Sequence, residues 1–290
     1  MNNVKEQLIP LGQSEYPHLI VPPHGGVFAE LLKTGPETVS LHEEALLLPS
    51  LYLTSDRQIA DTELLLNGGF SPLTGFMDKE TYESVCNSMR LSDGTLWPIP
   101  IVLDVPEDVA RTLSFDQRIT LRHPEGMMVA VLTIRDVWVP DKDQEAQQVY
   151  GTGDKKHPGV FDLKHQIHQV YVGGPLEGLQ FPPHHTFTHL RFTPREVRAM
   201  FDKNGWEKVV AFQTRNPMHR VHIELTTSAM ERTGAKLLIN PTIGPTKPGD
   251  LDPFVRVQAY EAILKYYPEN SALISLLPLA MRMAGPREAL

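Results

Sequence analysis

Gln213-Thr214-Arg215-Asn216-Pro217-Met218-His219-Arg220-Val221-His222 gathers side chains suited to holding two anions side by side. Gln213, Thr214, Arg215 and Asn216 present amide, hydroxyl, guanidinium and amide donors in a row. Arg supplies a planar fork that fits a tetrahedral oxyanion, and its neighbours add donors without cancelling its charge. His219 and His222 are three residues apart, so on a helix they share one face and can donate to the nonbridging oxygens of a phosphate. An isolated pair of this kind is commonplace filler; directly after a run of four polar donors it reads as part of an oxyanion site beside a phosphate site. Zinc is the rival ligand for the two imidazoles. The Glu and spacing of a zinc-protease helix are absent and a single cysteine supplies no thiolate set, so no protein-bound metal is expected. His165, His168, His184 and His185 read as solvated or locally hydrogen-bonded.

The elements around this run decide where those side chains go. Lys208 to Phe212 reads as a short buried strand, and Pro217 to Thr233 as a helix closed by Gly234. Ala235 to Pro241 is a second buried strand, Pro253 to Tyr267 a helix, and Ser271 to Leu277 a third strand. Upstream, Thr193-Pro194-Arg195-Glu196 has the form of a helix start, and that helix should end near Asn204-Gly205. Strand, helix, strand, helix, strand is the pattern of a doubly wound parallel sheet, which binds ligands at the carboxyl ends of its strands. The polar loop from Gln213 leaves such an end. Both histidines then fall in the first turns of a helix, where unpaired N–H groups and the positive dipole end favour phosphate.

The first part of the chain has a different texture. Ser50 to Gly69 reads as a helix with Thr54 or Ser55 as cap, Ile59 and Leu64 to Leu66 buried, and Asn67-Gly68-Gly69 as terminator. Phe70 to Met77 is a turn between large apolar anchors. Ile99 to Val105, Arg118 to Arg122 and Met127 to Ile134 are short β-type runs separated by turn residues, which predicts a small, mostly β domain. The polar stretch Pro140 to Lys156 is a loop or helix leading out of it. At the other end, Gly285-Pro286-Arg287-Glu288 begins a helix only a few residues before Leu290, and the domain is expected to continue beyond that point.

Composition narrows the function classes. The formal charge of −8 argues against a dedicated nucleic-acid binder. One cysteine, Cys86, cannot form an internal disulfide, and no apolar run approaches the roughly 18 to 20 residues that span a bilayer. Met1 to Gln7 shows no signal-peptide pattern, so a cytoplasmic protein is expected.

The run Gln213 to His222 resembles the signature of the ATP sulfurylases, a branch of the HxxH nucleotidylyltransferases. Three further segments agree in order: Asn67 to Met77, Thr246-Lys247-Pro248-Gly249-Asp250, and Leu277-Pro278-Leu279-Ala280-Met281-Arg282-Met283-Ala284-Gly285. The resemblance runs from about residue 20 onward. It implies a PUA-like N-terminal domain over 1–172 and a Rossmann-like catalytic domain over 173–290, incomplete at its C-terminus. It implies the reaction of ATP with sulfate to give adenosine 5′-phosphosulfate and pyrophosphate, or the reverse, with Mg²⁺ accompanying ATP, and a homo-oligomer.

Carried across, Gln213 and Arg215 hold sulfate, while Thr214, Arg215 and Asn216 form the catalytic loop. His219 and His222 bind the ATP phosphates and stabilise the transition state, and Met283 lies against the nucleotide. Lys247, Arg256 and Arg282 are candidates for added positive potential. Two departures stand out: the family's downstream Gly-Arg-Asp-His-Ala-Gly-Pro segment is not in this sequence, and Val221 stands where the family usually has Gly or Ala. The alternatives are a related nucleotidylyltransferase with another acceptor, or an inactive ligand-binding fragment.

Overall fold

The computed structural model describes residues 21–244 and 251–290. Met1 to Gln7 and the Thr246 to Asp250 segment, Lys247 included, lie outside them.

Helix α1 (Pro36–Leu47) buries only Leu41 and Ala45 and leads into strand β1 (Ser50–Tyr52). The helix expected from Ser50 therefore starts later. Ser50–Tyr52 finds a parallel partner in Thr120–Arg122, and that pairing outweighs any local helical tendency. The Ser55 hydroxyl then accepts from the Gln58 N–H and caps α2 (Asp56–Leu66), which ends at Asn67 as expected. There follow β2 (Gly75–Phe76), α3 (Lys79–Ser88), β3 (Leu103–Val105), α4 (Glu107–Ala110), β4 (Arg118–Arg122), β5 (Met128–Thr133) and β6 (Asp136–Trp138). The polar stretch after Pro140 is α5 (Lys142–Glu145), continued by a π-helical turn over Ala146–Tyr150. Helix α6 (Pro158–His165) and strand β7 (Val170–Gly178) complete the first unit.

Strand β7 is the hub of this unit. Its first half pairs antiparallel with β3 and β6, its second half with β2 and β5, while β4 and β1 extend the sheet beyond β5. Partners change at Gly173-Gly174, where neighbouring backbones press close. A Cβ at Gly173 would stand 2.1 Å from the Met77 carbonyl oxygen, and one at Gly174 2.0 Å from that of Thr133. The boundary expected at 172/173 thus falls inside a continuous strand; the first sheet ends only after Gly178, because both halves of β7 bond to it.

In the second unit, α7 (Pro194–Lys203) opens with a reciprocal capping box between Thr193 and Glu196. Strands β8 (Val209–Thr214), β9 (Lys236–Pro241) and β10 (Ala272–Ile274) form a parallel sheet in the order β10-β9-β8. They are linked by α8 (Arg220–Thr233) and α9 (Pro253–Ile263), and α10 (Pro286–Ala289) follows. Gly234 closes α8 in the left-handed conformation. Met230 of α8 and Val257, Tyr260 and Ile263 of α9 pack with Leu237, Ile239 and Ile274 in one core, so both connecting helices cover the same sheet face. Across a cavity of about 300 Å³, α7 faces the other side, at Leu238, Asn240 and Ser275. Among the described residues no helix is long and apolar enough to cross a membrane.

Candidate functional site

Strand β8 ends at Thr214, and α8 starts at Arg220, three residues later than the sequence suggested. The delay has a local cause. His219 is extended (φ −93°, ψ 168°), and its N–H donates to His222 Nδ1 at 2.9 Å, so it caps the helix from outside. His222 is therefore the third residue of a 14-residue helix and His219 its cap, with ring centroids 5.8 Å apart. The bond fixes the tautomer: with Nδ1 accepting, the proton of a neutral His222 sits on Nε2 and can be donated away from the cap.

The loop between strand and helix is held from beneath by α9. Arg256, only 3% exposed, donates from Nη1 to the Arg215 carbonyl at 2.7 Å. One turn on, the Tyr260 hydroxyl donates to the Asn216 carbonyl at 2.8 Å. Burial pushes the Tyr260 phenol up and keeps it a donor. Within the loop, the Asn216 N–H donates to Thr214 Oγ1 at 3.2 Å, a turn that aims successive side chains outward. No carboxylate among the described residues pairs with Arg256, and its Nε has no partner there. A guanidinium buried under the loop, with no carboxylate partner among the described residues, favours anions above it.

Each residue singled out in the sequence can now be placed. Gln213 is exposed near the end of β8 and donates to Thr242 Oγ1, one residue past the end of β9. Thr214 is the last residue of β8, and Arg215 and Asn216 follow in the loop. Arg215 Nη1 approaches Met283 Sδ at 3.6 Å, so the Leu277 to Gly285 segment does reach this loop. Arg282, by contrast, is turned away from it into an ion pair with Asp61 of the first unit, and so adds no free positive charge to the loop. His165 bonds to the Phe161 carbonyl and His185 is mostly exposed. His184, however, meets both Glu63 oxygens at 2.8 Å across the seam between the units, a long-range pairing that local sequence could not show. Thr242, Tyr260 and Asp61 escaped sequence reading. The four-residue spacing of Arg256 and Tyr260 behind the Asp252 cap was the one available signal for a helix face beneath the loop.

The chain is similar to known proteins along nearly all its length. A PUA-like domain model matches residues 21–181 and an ATP-sulfurylase model matches residues 188–290. The sulfate adenylyltransferase of Eremothecium gossypii is 48% identical over 268 residues, 92% of this chain and 53% of that protein. That of Chaetomium globosum is 52% identical over 272 residues, 92% of this chain and 47% of that protein. A solved structure described as a hexameric APS kinase from Thiobacillus denitrificans superposes with a TM-score of 0.77 at 32% identity, covering 93% of this chain and 49% of that one. The chain spans about half the length of these relatives. It carries a PUA-like domain over residues 21–181, and its residues 188–290 belong to the ATP sulfurylase family.

Proposed function

We propose that the protein of which this chain forms the PUA-like domain and the HxxH-bearing sheet is a sulfate adenylyltransferase. The observation that carries this reading is the loop from Gln213 to Asn216, set between the carboxyl end of β8 and the N-terminus of α8, with His219 and His222 opening that helix.

In this reading Gln213 and Arg215 hold sulfate, and the first turn of α8 receives the ATP phosphates. Met283 lies at the nucleotide side of Arg215. A sulfate oxygen attacks the α-phosphorus in line, the new S–O–P linkage forms, and the bond from the α-phosphorus to the bridging oxygen breaks. Both electrons of that bond leave with pyrophosphate. Sulfate is already ionised, so no general base is needed and no covalent enzyme intermediate arises. The task is to align two anions that repel each other and to spread the charge that builds on the α-phosphoryl oxygens. The Nε2–H of His222, aimed away from its cap bond, is placed to donate to such an oxygen. The same site serves the reaction in either direction.

Mg²⁺ is a partner of ATP in this scheme. Residues 213–222 offer amide and hydroxyl oxygens, imidazoles and guanidinium groups but no carboxylate, a poor match for Mg²⁺, so the phosphates of ATP themselves would hold it. Its contribution is to neutralise charge on the departing pyrophosphate. Residues 213–222 and Arg256 bind and orient the reacting groups. A homo-oligomer in the cytoplasm belongs to the same proposal, supported by the hexameric description of the solved relative and by the lone, buried Cys86.

The deciding experiment is pyrophosphate release from ATP with sulfate as acceptor, run beside phosphorylated acceptors. Turnover that needs sulfate supports the assignment. Equal turnover without sulfate, or turnover only with a phosphorylated acceptor, refutes it.

A further inference from the structure

The segment that brings Met283 to Arg215 is fastened to the PUA-like unit. Ala284, 2% exposed, is packed into the core cluster of that unit. Arg287 donates to the carbonyls of Val85, Cys86 and Pro98. The Arg282 guanidinium pairs with Asp61 of α2, which is fully buried. Gly159 of α6 lies so close that a Cβ there would stand 2.5 Å from the Arg282 carbonyl oxygen. The segment is also clasped on itself: the Glu288 carboxylate accepts from the N–H groups of Arg282 at 2.7 Å and Ala284 at 2.8 Å. Met283, between them, is forced into a left-handed conformation with φ of 60°.

The charges explain why Arg282 is drawn in. Within the first unit Asp61 and Asp104 share one arginine, Arg57, which bonds to both. Lys142 lies near Asp104 but bonds to the Ile167 carbonyl, so within the first unit Asp61 has only a share of Arg57, and burial makes an incompletely paired carboxylate costly. Arg282 supplies a second guanidinium to Asp61 from the other unit. The series Asp104, Arg57, Asp61, Arg282 then alternates in sign, and Met283 is the next residue along the chain.

We propose that Asp61 is a positioning residue for Arg215: by holding Arg282 it sets the Met283 turn, and the Met283 thioether in turn sets the guanidinium that receives the oxyanion. The last step rests on the reading of Arg215 as a sulfate-holding residue. The PUA-like unit thereby contributes to the oxyanion site without touching the ligand.

The test uses the full chain labelled with ¹³C at the methionine methyls, the Met283 signal being identified with Met283→Leu. Asp61→Asn is expected to shift the Met283 signal in the absence of any ligand. It should also weaken sulfate binding by about tenfold and ATP binding by no more than about threefold, since the sulfate depends on this guanidinium while Met283 offers the nucleotide only an apolar contact. A folded Asp61→Asn protein whose Met283 signal stays in place, or one in which both ligands weaken alike, overturns the proposal. Should Asp61→Asn fail to fold, the double variant Asp61→Leu with Arg282→Met removes both charges, leaves neither stranded, and is read in the same way. A wild-type chain that takes up no sulfate refutes the reading of Arg215, while the Met283 signal still decides whether Asp61 sets the turn.

Discussion

Arg256 Nη1 lies 2.7 Å from the main-chain oxygen of Arg215, so the loop proposed to meet sulfate rests on a buried cation. Replacing Arg256 by Met should keep much of its bulk and remove both the bond and the charge. A hydrogen bond to a charged group is worth about 1.5–3 kcal/mol, and the expected outcome is destabilisation of that order together with a loss of turnover of a hundredfold or so. Tyr260→Phe, which removes only a neutral donor, should cost about 1 kcal/mol and a smaller share of activity. Denaturant unfolding and pyrophosphate release measure the two effects; equal activity losses in the two variants would count against a role for the charge.

Arg215→Ala separates the two anions. The expected result is loss of sulfate-dependent turnover with ATP binding retained within about threefold, because its fork serves the second substrate. Isothermal titration with ATP and a turnover assay at rising sulfate give the comparison.

His222 invites a substitution that keeps the fold and removes the chemistry. Glu at this position can accept the His219 N–H as the imidazole does, so His222→Glu should leave the start of α8 in place. It would also set a negative charge against phosphate, and turnover should fall by about a thousandfold. His222→Ala should lose both the cap and the donor. Circular dichroism with single-turnover rates distinguishes the two variants, and retained activity in His222→Glu would refute the proposed donation.

A fourth prediction concerns the first unit alone. Burial pushes the Glu145 carboxyl above the usual carboxylate range, although hydrogen bonds from Tyr82 and Tyr171 and the charges of Lys142 and Arg57 pull the other way. The unfolded chain releases this proton first, so above its ordinary pKa of about 4.3 the native state binds more protons and stability falls as pH rises. Glu145→Gln removes that dependence. The unfolding free energy of the variant relative to wild type, from denaturant titrations, should increase as pH is raised from about 4 through the native pKa, with a slope of no more than about 1.4 kcal/mol per pH unit. A difference that stays constant across this range would show that folding leaves the affinity of this carboxyl for its proton unchanged.

Cys86, 3% exposed on α3, has its thiol pushed up to about 12, first by burial and then by the nearby Glu145 carboxylate. Thiolate is the reactive form, so a disulfide reagent at pH 8 should label the native chain far more slowly than the chain in guanidinium chloride. Rapid labelling of the native protein would show that α3 opens readily.

The parts of this fold that local chemistry dictates were legible in the sequence. Thr193, Pro194 and Glu196 mark the start of α7, Gly234 the end of α8, and the alternating strands and helices after Phe192 the parallel sheet, because caps and periodicity act over a few residues. The same local signals placed the loop Gln213 to Asn216 at a strand end. What they could not show is pairing at long range. Ser50–Tyr52 became a strand because of a partner some 70 residues away, and the boundary that the resemblance implied at 172/173 falls inside β7, whose two halves take different partners across a crowded crossing at Gly173-Gly174. Arg282 could be read in sequence either as added positive potential or as an ordinary salt-bridge residue, because the partner that decides for the second, Asp61, is 221 residues distant. The histidine pair was visible; that one histidine caps the helix with help from the other was not.

That shared bond ties two properties to one side chain. His222 both fastens the first turn of α8 and offers a proton outward, and only the second of these needs an imidazole. Any acceptor of suitable reach would satisfy the first. Foldedness and competence can therefore part company at a single position, and a relative altered only there would keep every strand and helix described above while standing silent as a catalyst.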